Sequence, residues 1–222
     1  MDQIRRAALF VLPLIVLCLA AGCVQTDVVE SSELIPNTDE GTSTVLDIKI
    51  DKYLALRKEF PEEPRYRERL ARLFWMKKDH SKALRYLNEA TRLDPENPKY
   101  AYLKGTIYMG IDNFRLAEAA FKEIVDGPGK QFTGPYIQLA DLCIREDRPD
   151  KALEYLEECR KVDPLFSTPH YYIGSIMWAR GDKEKTLEHF EEYLRLGGGI
   201  HQDTVIQHLK RMQPGMQIHH IR

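Results

Sequence analysis

Net charge is nearly absent from this sequence: 32 Lys and Arg face 34 Asp and Glu over 222 residues, leaving −2 at pH 7. A nucleic-acid binder needs a strongly basic domain or face, so nucleic acid is not an expected partner. Enzyme signatures are missing too. There is no H-E-x-x-H, no G-x-S-x-G, no phosphate loop and no G-x-G-x-x-G. Gly129-Lys130 has neither the upstream Gly nor the following Ser/Thr that a phosphate loop requires. The acidic pairs Glu157-Glu158 and Glu191-Glu192 fall on outer helix faces, where solvation accounts for them. Seven histidines show no metal-ligand spacing, so neither a metal nor a cofactor is expected. An enzyme is therefore not expected.

Long apolar runs are also scarce. The one that stands out, Ala7 to Ala21, follows Arg5-Arg6 and is broken by Pro13. Its 15 residues suit a signal-peptide core and fall short of the roughly 20 that span a bilayer. It ends in Leu19-Ala20-Ala21-Gly22-Cys23, small residues followed directly by cysteine. That ending resembles the bacterial lipoprotein signal, although Ala20 stands where the family most often has Leu. The resemblance implies removal of residues 1–22 and acylation of Cys23. Acyl chains contribute about 0.8 kcal/mol per buried methylene, so several on one residue would anchor firmly. Val24 in place of Asp implies the periplasmic face of the outer membrane. Residues 23–43 then read as a tether, with Asp27, Glu30, Glu33, Asp39 and Glu40, no basic residue and no sustained apolar period.

What is abundant is periodicity. Ala71, Gly105, Ala140 and Gly174 are small residues inside helical patterns, 34, 35 and 34 apart. Twelve residues after each lies another small one: Ala83, Ala117, Ala152 and Thr186. Four further on come Leu87, Phe121, Leu156 and Phe190. Pro61, Pro95 and Pro164 close units in the same phase. Small residues let two antiparallel helices approach where they cross, and the large residue is expected to fill the space between neighbouring units. This register resembles the tetratricopeptide repeat. The resemblance implies an all-α fold: a right-handed helical solenoid of about four helix pairs. The units are residues 64–97, 98–131, 133–166 and 167–200. In the fourth, Thr186, Tyr193 and Gly198 replace the usual Ala, Ala and Pro.

Residues 44–60 are expected to form an N-terminal capping helix, making 44–200 the repeat domain. Residues 201–222 would hold a capping helix from 202 to 212 and a tail. Cys143 and Cys159 fall at core positions on the two helices of the third unit, either bridged or as free thiols.

Family resemblance further implies that the first helix of each unit lines a concave groove. The inward positions are Arg65, Glu68, Arg72 and Trp75, then Lys99, Tyr102, Thr106 and Met109. The third and fourth units add Ile137, Asp141 and Ile144, then Tyr171, Ser175 and Trp178. Trp75 and Trp178 either anchor a partner or pack against neighbouring helices. The Lys/Asn set with which chaperone-binding relatives hold a C-terminal carboxylate is missing. The function expected is that of a membrane-anchored scaffold or assembly factor of a bacterial envelope, holding a segment of another protein. A holding chaperone for an exported subunit, or a regulatory subunit of a cell-wall enzyme, are the alternatives. Membrane contact is expected through the lipid anchor only, with no small-molecule substrate.

Overall fold

The computed structural model describes residues 40–213, with side chains from 44. The signal-peptide and lipidation readings, Cys23 included, lie outside these residues, as do most of the tether and the tail from 214. Ten helices follow one another: α1 (Glu40–Glu59), α2 (Pro64–Met76), α3 (His80–Leu93), α4 (Pro98–Gly110), α5 (Phe114–Val125), α6 (Thr133–Arg145), α7 (Pro149–Val162), α8 (Thr168–Ala179), α9 (Lys183–Arg195) and α10 (Gln202–Met212). Among the described residues there is no strand, and no helix is long and apolar enough to cross a membrane.

Each helix packs chiefly on its neighbours in the chain, and the strongest pairings are α2 with α3, α4 with α5, α6 with α7 and α8 with α9. Four helix pairs stacked in sequence make an all-helical solenoid, the architecture that the 34-residue register implies. α1 begins at Glu40, four residues ahead of the expected position 44. Glu40 to Ser43 carry no apolar period, so nothing in the sequence marks that first turn as helical. α1 covers the first pair with Ile50 buried and Leu46, Tyr53 and Leu54 packed on the same core. Glu89 of α3 ties it down further, accepting from Arg57 of α1 at 3.3 Å beside Arg67 of α2 at 3.5 Å.

Local chemistry sets the helix ends. Pro64, Pro98 and Pro149 open α2, α4 and α7, where the missing N–H would be unpaired anyway. Asp79, Asn113 and Asp182 cap α3, α5 and α9, each side chain accepting from the backbone N–H three residues on. α7 has Arg148 at that place and no side-chain cap. Just before each of these positions the chain turns through the left-handed region, at Lys78, Asp112, Asp147 and Gly181. A left-handed backbone costs a side chain about 1–2 kcal/mol, so Lys78→Gly should raise stability by up to about 1 kcal/mol, net of glycine's own entropy. Chemical denaturation of both proteins checks this, and a midpoint that falls would refute it.

The interior shows why the small residues recur. A Cβ built on Gly105 would sit 2.5 Å from the Phe121 ring, and one on Gly174 would sit 2.5 Å from the Phe190 ring. In the first and third units the same places hold Ala71 with Leu87 and Ala140 with Leu156, all buried. Helix pairs therefore come in two packings, Ala with Leu and Gly with Phe, in strict alternation. The large residue also reaches the next element, as expected: Phe121 shares a core with Leu139 and Leu142 of α6, and Phe190 with Val205 and Leu209 of α10.

The degenerate fourth unit is repaired by polar contacts. Thr186 is fully buried, and its hydroxyl donates to the Asp182 carbonyl at 2.6 Å. Tyr193 is also buried, and its hydroxyl accepts from the His201 N–H at 3.1 Å. Ser167 donates to the Gly198 carbonyl at 2.7 Å, tying the start of α8 to the glycine turn after α9.

Candidate protein-binding face

The first helices of the four pairs meet along one face. Trp75 at the end of α2 lies against α4, where its indole nitrogen is 3.9 Å from the Cβ position of Gly110. Tyr102 of α4 lies beside Gln138 of α6, which draws its phenol pKa down against the rise that burial causes. Tyr172 of α8 lies beside Asp141 and Arg145 of α6, whose charges act on its hydroxyl. Trp178 of α8 meets His208 of α10 edge to face, with ring centres 5.1 Å apart. These four contacts join α2, α4, α6, α8 and α10 side by side.

The side chains expected on this face divide into three groups. Some hold charges that are already paired. Arg72 donates to Glu68 at 2.9 Å, one turn earlier on α2, and Arg145 donates to Asp141 at 2.8 Å on α6. Arg65 sits beside Glu63 and over the Tyr66 ring, and Lys99 is exposed. A second group has turned back on the backbone. Thr106 and Ser175 each donate to the carbonyl four residues earlier, at Tyr102 and Tyr171.

The third group, the large apolar side chains, does not behave uniformly. Ile137 is only 9% exposed and belongs to the core of the third unit. Tyr102 wedges between Phe121 and Phe132, ring centres 5.6 and 4.9 Å away, and burial pushes its phenol pKa up. Tyr171 stacks on His201 at 3.8 Å and touches Phe190 and Tyr193. Trp75 and Met109 are half-buried against the cores of the first and second units. Ile144 and Trp178 remain exposed, at 36% and 39%. Two of the four aromatics therefore brace neighbouring elements, Trp75 is shared, and Trp178 alone is exposed, with one edge on His208.

Several participants were not foreseen from the sequence. Gln138 and Tyr172 stand one place after the inward positions Ile137 and Tyr171, on the flank that meets the next first helix. His208 lies 34 residues after Gly174, so continuing the register into the cap would have marked it. Nothing local marked His201, which reaches Tyr171 only through the turn at residues 197–199. Cys143 and Cys159 are buried free thiols, not a bridge. Burial pushes the Cys159 thiol up to about 12, with Asp163 adding to the shift, and its Sγ donates weakly to the Thr133 carbonyl at 3.7 Å. A thiol so held is unreactive. Among the described residues, no group of three or more His, Cys, Asp and Glu could hold a metal.

Comparison with known proteins agrees with this architecture. Models of the tetratricopeptide repeat match residues 50–98 and 134–164. No curated protein matches the sequence significantly. Among solved structures, MamA is 20% identical with a TM-score of 0.59, covering 73% of this chain and 96% of that one. YrrB, described as a TPR protein with an unusual peptide-binding site, is 18% identical with a TM-score of 0.56, covering 77% and 86%. PilF of Pseudomonas aeruginosa is 13% identical with a TM-score of 0.56, covering 80% and 96%. The second and fourth pairs lie outside most of the matched segments, yet they repeat the geometry of the first and third. The chain carries tetratricopeptide repeats, stacked as an all-helical solenoid.

Proposed function

We propose that this protein is a membrane-tethered scaffold or assembly factor of a bacterial cell envelope, holding a segment of another protein against the face of α2, α4, α6 and α8. One observation carries the reading. Trp75, Met109, Ile144 and Trp178 occupy equivalent places in four successive units, 34, 35 and 34 residues apart, and all are apolar. A solvated helix end has no need of an apolar residue four times over. Aromatic side chains offer large contact area with few rotors to freeze, which favours them as binding anchors. YrrB, which shares the architecture, is described by its peptide-binding site, in keeping with a protein partner here.

The tether rests on the residues Leu19 to Cys23 and on Val24, which favours the outer membrane. Cys23→Ser should leave the precursor unprocessed by the lipoprotein pathway or release a soluble form. Mass spectrometry of the mature N-terminus decides it, and an unmodified Cys23 there would end the lipoprotein reading. Crosslinking and pull-down from native membranes tests the scaffold itself. One folded envelope protein should dominate the capture. A mixture of unfolded exported chains would instead favour a holding chaperone.

A further inference from the structure

The fourth unit sets a buried imidazole against a half-buried one, a pair that the repeat does not call for. His170, third residue of α8, is only 4% exposed. Its Nδ1 lies 3.1 Å from Nδ1 of His189 on α9, with ring centres 5.2 Å apart. The corresponding places in the first three units hold Arg67 with Tyr86, Ala101 with Ala120, and Tyr136 with Tyr155. Only the fourth unit carries groups there that change charge between pH 5 and 8.

Two Nδ1 atoms at this distance share a single hydrogen, one ring donating and the other accepting. A first proton can enter at the donor ring's Nε2 and leave that hydrogen bond standing. A second proton places N–H against N–H and brings two positive charges together, the one on His170 shut away from water. The carboxylates of Glu157, Glu188 and Glu192 favour the charged rings, but burial outweighs them. α7 contributes Glu157 and Arg160, which hold each other at 2.9 and 3.0 Å. α9 contributes Glu188 and Glu192, and Glu192 is taken up by Arg195. We infer that the His170–His189 contact is an acid-labile latch: protonation of both rings parts α8 from α9 and opens the fourth unit while the first units stay folded. Solenoids permit this, since each unit is stabilised by its immediate neighbours alone.

Burial, with Arg160 and then His189 adding to it, holds His170 down to about 4, and burial also lowers His189. A folded pKa below the unfolded one gives stability that is complete above the ordinary histidine value near 6.5. It is lost as pH falls from there toward about 4. Because the rings interact, they titrate as a pair. The opening also disperses Tyr171, Ser175 and Trp178, the α8 side chains of the face described above.

Hydrogen exchange of the full chain in detergent, corrected for the intrinsic pH dependence of exchange, reads the latch. Between pH 7 and pH 5, opening of α8 and α9 should grow more than tenfold, at about tenfold per pH unit below 6.5 for each ring kept neutral in the fold, while α2 to α5 hold. His170→Phe combined with His189→Leu should abolish the response. Should that variant not fold, ring titration of the native chain by NMR decides instead. Both rings charging well below pH 6.5, in step with loss of α8 protection, supports the latch. Both rings charged with protection of α8 and α9 intact overturns it, and so does equal loss of protection in α2 to α5.

Discussion

Gly105→Ala should destabilise the fold even though alanine is the better helix former by about 1 kcal/mol. The added methyl would lie 2.5 Å from the Phe121 ring, which is itself fully buried and cannot swing aside. Overpacking of this kind costs about 1–3 kcal/mol, so the net loss should reach about 2 kcal/mol. Phe121→Leu alone should also cost stability by leaving a cavity. The double variant rebuilds the Ala–Leu packing of the first and third pairs and should be more stable than the sum of the two losses implies. A coupling of about 1 kcal/mol or more is expected. Urea denaturation of the four proteins measures it. Additive losses would mean that the alternation between Ala–Leu and Gly–Phe pairs is coincidental.

Trp178→Ala should weaken capture of the partner at least tenfold while moving the melting temperature little. Loss of a binding anchor commonly costs about 2 kcal/mol or more in affinity. The Trp178 ring is 39% exposed and meets chiefly His208, so the fold loses little when it is removed. Trp75→Ala should behave differently. Its indole is half-buried against α4 and shares a core with Ala71, Leu87 and Leu103. Truncating a buried aromatic costs about 3–5 kcal/mol, so a half-buried one should cost about 1–3. Thermal melts run beside capture with the crosslinked partner separate the two effects. If both variants kept full affinity, the face of the first helices would not be the binding surface.

Much of this molecule was legible because a repeat multiplies weak signals. No single small residue marks a helix crossing, but Ala71, Gly105, Ala140 and Gly174 at one spacing do, and the helix pairs fall in the same phase. The start of α1 escaped notice because its first turn is polar and has no period to read. The candidate face was only half legible. Its positions follow from the register, but whether a side chain at such a position is offered to a partner depends on what stands beside it in space. Tyr102 meets Phe132 because the loop after α5 carries that ring back to α4.

The sequence by itself determined the helical solenoid, the number of units and the absence of any motif for chemistry, because these depend on periodicity and composition, which are properties of the chain. Only the tertiary structure decided which aromatics are exposed. Trp75 and Trp178 hold equivalent places in the register, yet one leans on α4 and the other faces outward beside α10. The same is true of His170 and His189, 19 residues apart in sequence and 3.1 Å apart in the fold. Exposure and the pairing of distant polar atoms are set by neighbours from other helices. A local pattern of residues holds no record of those neighbours.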